Sequence, residues 1–262
     1  MKDEGRGMKD VRFFIITFVS VVLWTLGANA QEYHGTTGLL QVPSAETDSA
    51  GTFCGGMTFV HKGMLPDMSY YGDGKPFNAP CYTVGITAWP WLQMSYTGTL
   101  VKMHPNDDKS RPLGYYNEDR HINIKLRPLE EGRWWPAIAL GWDDIGSLKS
   151  LKIGKKWTTN NFFECLYVAG TKHFDIKGYE LGAHLSYRYY PSDKNRDRRG
   201  VAGGLTLRPA FYRPLRLIAE WDGAGVNVGA DVLLWRHLFI QAALVHGRGF
   251  TGGIGYHYRI PF

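Results

Sequence analysis

With 262 residues, the chain is long enough for one large domain. Its formal net charge of +6 includes 30 lysines and arginines that are scattered along the sequence, which argues against a nucleic-acid-binding protein. Glycine is abundant, at 32 residues, and sustained helical periodicity is absent, so a helical fold is not expected either.

Residues 1–30 have the pattern of an export signal. A positive start at Lys9 and Arg12 is followed by the apolar run VRFFIITFVSVVLWTLG and by ANA, a small-x-small cleavage site that ends at Ala30. A membrane anchor is the alternative interpretation, but the run is short and ends in the cleavage pattern. We therefore predict a signal peptide over 1–30 and an exported mature chain.

Period-two alternation recurs from residue 52 to the end of the chain. In GYELGAHLSYRYY, apolar Leu181 and Leu185 alternate with polar His184 and Arg188, so this strand would have one apolar and one polar face. About twelve such strands are predicted, at 52–61, 80–88, 92–102, 119–127, 136–143, 163–172, 178–190, 199–208, 215–222, 225–234, 237–246 and 249–260. Residues 52–262 therefore form the predicted all-β domain.

The connections between these strands alternate in length. Counted in order, the even connections are short, whereas the odd ones at 62–79, 103–118 and 143–162 are long and polar. Outer-membrane barrels have short periplasmic turns and longer extracellular loops. The pattern predicts a monomeric antiparallel transmembrane β-barrel in the cell outer membrane, surrounded by its lipid, with both termini periplasmic.

Aromatic residues fall at two heights of this predicted barrel. Such girdles are expected at the two bilayer interfaces, because Trp and Tyr combine an apolar ring with a polar group. A soluble periplasmic sandwich with aromatics near its corners is the alternative interpretation. The girdle residues beside the even connections are Trp89, Trp91, Trp134, Trp135, Phe211, Tyr212 and Trp235, and those beside the odd connections are Tyr70, Tyr71, Tyr115, Tyr116, Tyr189 and Tyr190.

The polar faces of the predicted strands carry charges of both signs. Buried charges need partners, so the preferred interpretation is an ion-pair network that fills a narrow barrel. A polar permeation path is the other interpretation. The predicted lumen-facing residues are His121, Lys125, Glu180, His184, Arg188, Arg208, Arg216, Glu220, Asp231, His257 and Arg259.

No sequence motif indicates catalysis, a cofactor or a metal. Ser186 and His184 share the inward face of one strand, but a hydrolase would need a third member, and chance placement is the better account. Cys54, Cys81 and Cys165 have no metal-ligand spacing, and the first two are predicted at opposite ends of the barrel, so no disulfide is expected between them. The protein is predicted not to be an enzyme.

Several stretches, in order along nearly the whole mature chain, resemble one family. They are GTTGLLQVPSAETDSAGTF, PAIALGWDDIGS, LYVAGTKHF, IAEWDGAGVNVGADVLL and GRGFTGGIGYHY. Together they resemble YjbH-type outer-membrane proteins, which are linked to exopolysaccharide production. The resemblance implies a barrel that acts in surface-polysaccharide export or assembly, with polysaccharide or envelope proteins as partners. A small general pore is the alternative function, and an outer-membrane lipid hydrolase is a distant third.

Residues 31–51 precede the first predicted strand. Leu39, Leu40 and Val42 would lie in water if this segment extended away from the barrel. We therefore predict that the segment enters the periplasmic mouth or the lumen as a small plug.

The chain ends on an alternating strand, GGIGYHYRIPF, whose apolar face includes Tyr258, Ile260 and Phe262. This strand has to close against the first one, because lipid offers no water to an open sheet edge. The resemblance to barrel proteins implies that these three residues form a signal read by the barrel-assembly machinery.

Overall fold

The computed structural model describes residues 31–145 and 162–260. These residues form one closed barrel in which twelve antiparallel strands pair with their sequence neighbours and β1 closes against β12. The predicted fold class, an all-β antiparallel barrel of about twelve strands, is confirmed. The strands are β1 (Thr52–Val60), β2 (Ala79–Trp89), β3 (Leu92–Met103), β4 (Gly114–Leu129), β5 (Ala137–Asp143), β6 (Cys165–Ile176), β7 (Tyr179–Tyr189), β8 (Gly200–Arg208), β9 (Leu215–Trp221), β10 (Val226–Leu234), β11 (Leu238–Val245) and β12 (Gly249–Arg259).

Two strands, β4 and β6, extend furthest beyond their predicted bounds. β4 begins at Gly114 rather than at residue 119, because its polar first residues continue the backbone ladder with β3 as far as Met103. β6 continues to Ile176 rather than ending at residue 172, and it pairs with β7 up to a two-residue turn. In that turn Lys177 and Gly178 both have positive φ, as a tight hairpin requires. Backbone pairing, which side-chain alternation does not report, extends both strands.

The barrel has two different ends. We call the end with the short connections the turn end; its connections are 90–91, 130–136, 177–178, 209–214 and 235–237. We call the opposite end the loop end; its connections are 61–78, 104–113, 144–164, 190–199, 222–225 and 246–248. Three short 3-10 helices lie at the loop end: Ser69–Gly72, Pro105–Asp107 and Asp193–Arg198. The described residues contain no helix that is long and apolar enough to cross a membrane.

The outer face of the barrel is apolar. Along β7, Leu185 and Tyr187 are 62% and 53% exposed, whereas Ser186 and Arg188 between and beside them are buried. The same alternation continues around the wall and leaves a contiguous apolar surface, which a soluble protein rarely exposes. The sandwich interpretation is wrong, because the sheet closes on itself rather than packing against a second sheet.

Aromatic side chains lie at both ends of the outer face. At the turn end Trp89 stacks on Trp91 with ring centroids 5.5 Å apart, and Trp134 and Trp235 are exposed. At the loop end Tyr70, Tyr115, Tyr116 and Tyr189 are exposed. Tyr190 and Tyr71 do not belong to this girdle: Tyr190 is buried, and Tyr71 packs inward against Phe162.

The apolar core of this barrel lies inside it, near the loop end. Besides wall residues such as Val60 and Ile218, it contains residues from three further regions of the chain: 33–42, the 61–78 connection and Phe162–Phe163. The three cysteines are free thiols buried within the wall and its interior. The predicted signal peptide at 1–30, and Phe262 of the predicted assembly signal, lie outside the described residues.

Candidate functional site

Residues 31–48, which we call the plug segment, lie inside the barrel. Every residue from Gln31 to Asp48 is buried. Isolated bridges join Gln31 to Thr37 and Gly38 to Pro43, so the segment folds back on itself without forming a strand of the wall. Gly35 has φ +84°, and a Cβ there would meet Thr83 at 3.0 Å. A glycine therefore lets the chain turn directly against the wall.

The tip of the plug segment binds one wall carboxylate through its backbone. The N–H groups of Leu40, Gln41 and Val42 donate to the Glu220 carboxylate over 3.0, 3.1 and 3.1 Å. The Asn227 side-chain amide donates to the same carboxylate over 2.8 Å. Consecutive N–H groups that converge on one anion form a nest, so backbone dipoles stabilise this buried charge. The side chains of the tip pack into the apolar core at the same time.

A chain of charged groups ties the descending part of the plug segment to the wall. Glu46 Oε2 accepts from the Arg216 guanidinium over 3.1 Å, and Arg216 also pairs with Asp231 over 3.0 Å. The other oxygen of Glu46 lies 3.3 Å from His173 Nε2, and His173 Nδ1 lies 2.7 Å from Glu131. This network joins three strands and one connection to the plug segment. It also gives the fully buried Arg216 two carboxylate partners.

A third anchor lies on β3 and β4. The His34 carbonyl accepts from Ser95 Oγ over 2.7 Å, Thr97 Oγ1 over 2.8 Å and Asn123 Nδ2 over 2.8 Å. Lys125 Nζ donates to the Thr37 carbonyl. The plug segment has few regular backbone bonds, so the wall side chains provide the partners that its buried amides and carbonyls need.

The loop end is closed above the plug segment. We call residues 61–78 the lid. Gln41 Nε2 donates to the Met64 carbonyl over 2.8 Å, and Arg198 donates to the Leu65 carbonyl over 2.9 Å and to the Gly63 carbonyl. The lid side chains Met64, Leu65 and Met68 are buried in the same apolar core as the plug tip. Plug segment and lid therefore support each other.

The predicted lumen-facing residues lie in two environments. Inside the barrel, buried, are His121, Lys125, His184, Arg188, Arg208, Arg216, Glu220, Asp231 and His257. Glu180 is half-buried at the turn end, where it pairs with Arg208 over 3.1 Å and with Arg213 over 3.2 Å. Arg259 is the exception and is exposed, because it pairs in register with Thr52, the first residue of β1, where the barrel interior opens.

The partners of these residues match the predicted ion-pair network in part. Arg216 pairs with Asp231 and Arg208 with Glu180 across neighbouring strands, but Glu220 is bound by amides and Lys125 by carbonyls of the plug segment. Glu46 and His34 were missed as members of the site, because the plug segment has no periodicity that would assign its side chains to a face. The apolar residues of the plug segment were the sequence feature that indicated its burial.

Ser186 and His184 do not form a catalytic pair. Both ring nitrogens of His184 bond to threonines, Nδ1 to Thr171 Oγ1 at 3.1 Å and Nε2 to Thr206 Oγ1 at 3.0 Å. Ser186 Oγ instead donates to the Ala202 carbonyl over 3.4 Å. A general base has to reach the hydroxyl that it activates, and this one is engaged elsewhere. Across 31–145 and 162–260, His, Cys, Asp and Glu side chains form no cluster that could hold a metal ion.

Glu131, in a connection of the turn end, has a lowered pKa. Partial burial alone would raise it, but the His173 N–H, Lys172 Nζ and the His173 ring all stabilise the charged form. Glu131 is therefore held as a carboxylate. It lies at the turn end, where it forms the last member of the network that runs through His173 to Glu46.

A closed barrel with an apolar outer face, aromatic ends, short turns and longer loops defines a transmembrane β-barrel of the outer-membrane type. Within that class, the chain belongs to the YjbH family: the family model described as exopolysaccharide biosynthesis protein YbjH matches residues 30–187. Among curated proteins, none matches the chain.

Two solved outer-membrane proteins are similar to the chain at low identity. The outer membrane phospholipase (OMPLA) dimer of Salmonella typhi with bound calcium is 12% identical with a TM-score of 0.36, and the match covers 82% of this chain and 92% of that chain. Outer membrane phospholipase A from Escherichia coli is likewise 12% identical with a TM-score of 0.36, and the match covers 81% and 90%. No function is transferred at this level of similarity.

Proposed function

We propose that this protein is a non-enzymatic barrel of the outer membrane that acts in the export or assembly of a surface polysaccharide. Membership of the YjbH family supports the link to polysaccharide. The apolar outer face suits a lipid environment, and the turn end then faces the periplasm while the loop end faces the exterior. Polysaccharide or other envelope proteins are the expected partners.

The filled lumen is the observation that carries this proposal. A general pore needs a continuous polar path, but here the plug segment and the lid occupy the barrel interior and its loop end. A closed barrel suits a component that admits cargo only when a partner displaces the plug segment, or one that organises an assembly without conducting. The hydrogen bonds of His184 and Ser186 disfavour the lipid-hydrolase alternative.

The test combines a cellular and a biochemical measurement. In the native host, deleting the gene should lower the amount of surface or secreted polysaccharide, and a plasmid copy should restore it. An unchanged amount would contradict the proposal. The purified protein in planar bilayers should show no steady conductance, whereas a steady open current would favour the small general pore.

The last strand is also assigned a role in this proposal. Tyr258 and Ile260 are exposed on the outer face of the barrel, as an assembly signal along β12 requires. With Phe262 they would be read by the barrel-assembly machinery. Deleting Phe262 should reduce the amount of protein in the outer membrane, as measured by immunoblot of membrane fractions, and a normal amount would remove this assignment.

A further inference from the structure

A cleft of about 410 Å³ lies at the loop end of the barrel. Its walls come from the lid, from the 190–199 connection and from two hairpins, which contribute Ala224 and His246. Its volume falls in the range of small-molecule sites, which begins at roughly 300 Å³. The side chains of Lys62 and Lys194, which are exposed in this lining, take part in none of the plug-segment contacts described above.

The lining carries three cations. Lys62 and Lys194 are exposed, with Lys194 Nζ 3.3 Å from the centroid of the Phe162 ring, and Arg198 is buried with 9% of its surface exposed. The ion pairs among the described residues include none of these three cations. Of the two acids in the lining, Asp67 already accepts from the Ser69 N–H and hydroxyl over 3.0 and 2.6 Å. An anionic ligand would therefore meet cations that are not paired with a carboxylate of the protein.

Arg198 is the most constrained of these cations. Its Nη1 donates to the Leu65 carbonyl over 2.9 Å and to Asn195 Oδ1 over 3.2 Å, and its other terminal nitrogen donates to the Gly63 carbonyl. Its Nε is buried and has no hydrogen-bond partner. A buried donor without an acceptor is unfavourable, so a charged and pre-positioned guanidinium with a spare donor marks the base of the cleft as a built feature.

The rest of the lining suits a sugar ring. The half-buried Phe77 and the buried Met68 form the apolar part of the lining. Ser69 and Asn195 form a polar part, in which the hydroxyl donates to Asp67 and the amide bonds to the Phe162 carbonyl and to Arg198. Ligand sites commonly combine an apolar surface with a few polar groups that fix orientation. A simple inorganic anion would leave the apolar part of the cleft uncovered.

We propose that this cleft binds an acidic saccharide, a sugar unit that bears a carboxylate, at the outward-facing end of the barrel. The sugar ring lies against Met68 and Phe77, and the carboxylate lies among Lys62, Lys194 and Arg198. The inference rests on the proposed function for the source of the saccharide, the surface polysaccharide, but the cleft itself can be tested alone.

The binding test uses the intact protein in detergent micelles with trigalacturonate as the acidic probe, measured by calorimetry. Maltotriose is the neutral probe and inorganic phosphate the probe for simple anion binding. Trigalacturonate should bind saturably, and the double variant Lys62→Gln, Lys194→Gln should bind it about tenfold more weakly. Lys109→Gln is the matched control, since Lys109 is also exposed at the loop end but does not line the cleft.

Three results would overturn the inference: no saturable binding of trigalacturonate up to about 10 mM, equal loss in the Lys109→Gln control, or binding of phosphate or maltotriose as tight as that of trigalacturonate. Heat-dependent migration on a gel verifies that each variant is folded. A cellular measurement separates the two proposals. If gene deletion lowers polysaccharide but the double variant restores it fully, the cleft has failed while the proposed function stands. If deletion changes nothing, the proposed function has failed.

Discussion

The wall of the barrel and the plug segment inside it are held together in different ways. The wall satisfies its backbone by pairing neighbouring strands, and β1 with β12 completes the ring. The plug segment has isolated bridges and a few turn hydrogen bonds, and side chains of the wall supply other partners for its backbone, most clearly Glu220 and Lys125. A mutation on the outer face of the wall therefore changes stability according to its depth in the bilayer. A mutation on the inner face changes stability through the buried partner that it leaves unpaired.

The largest effect of a single substitution is expected at the centre of the lumen network. Arg216→Met leaves Glu46 and Asp231 buried without their cation, and breaking such a pair destabilises a protein by about 3–5 kcal/mol. Urea unfolding in lipid vesicles measures the loss. Arg213→Met is the control: Arg213 is 43% exposed at the turn end, and its pairs are expected to contribute about 1 kcal/mol or less. Equal losses of unfolding free energy in the two variants would mean that the lumen network stabilises the barrel no more than an exposed ion pair does.

A charge on the outer face of the wall should have the next largest effect. Leu185 lies mid-way along β7, so Leu185→Arg should destabilise the barrel in lipid vesicles by about 2–4 kcal/mol. Ile176→Arg, at the turn end of β6, should cost about 1 kcal/mol or less, because an interfacial charge reaches water. If both arginines were tolerated equally, the outer face would not be the face that meets lipid.

The nest at the plug tip should be worth less than the ion-pair network. Glu220→Gln keeps the shape and one acceptor oxygen but removes the charge that attracts three N–H groups, with an expected loss of about 1–3 kcal/mol. The same urea titration applies. Glu130→Gln, at an exposed ion pair with Arg127, serves as the control and should change little. If Glu220→Gln lowered the unfolding free energy no more than Glu130→Gln did, the nest would not stabilise the protein.

The smallest expected effect is a pH dependence at the turn end. The pKa of Glu131 is lower in the folded protein than in the unfolded chain, so its contribution is present above the unfolded pKa and disappears as the pH falls through the folded value. The difference in unfolding free energy between wild type and Glu131→Gln should be about 1 kcal/mol or less near neutral pH and should shrink in acid. A difference that grew in acid would contradict the sign of this shift.

The wall could be predicted from the sequence to within a few residues, as could most of the residues that face the lumen, but the partners of those residues could not. Alternation reports which residues form a strand and which face they take, and it failed only where backbone pairing continues without it, as at Gly114–Asn117. The partners in the lumen depend on three-dimensional packing. Glu46 and Arg216 are separated by 170 positions, and no local pattern connects them.

The resemblance of the sequence to YjbH proteins indicated the family, which the family model confirms. It carried no information about the lid, because Met64, Leu65 and Met68 lie in a connection that the sequence analysis read as a polar loop. These side chains are buried because they pack against the plug tip, which lies beneath them.

The central claim is that the plug segment keeps the barrel closed, and single-channel recording tests it most directly. Deleting residues 35–45 removes the tip that supports the lid through Gln41 and Met64. The wild-type protein should show no steady current, whereas the deletion variant should show one. Heat-dependent migration on a gel verifies first that the variant is a folded barrel. If folding and conductance were both unchanged by the deletion, the plug segment would not be what closes this barrel.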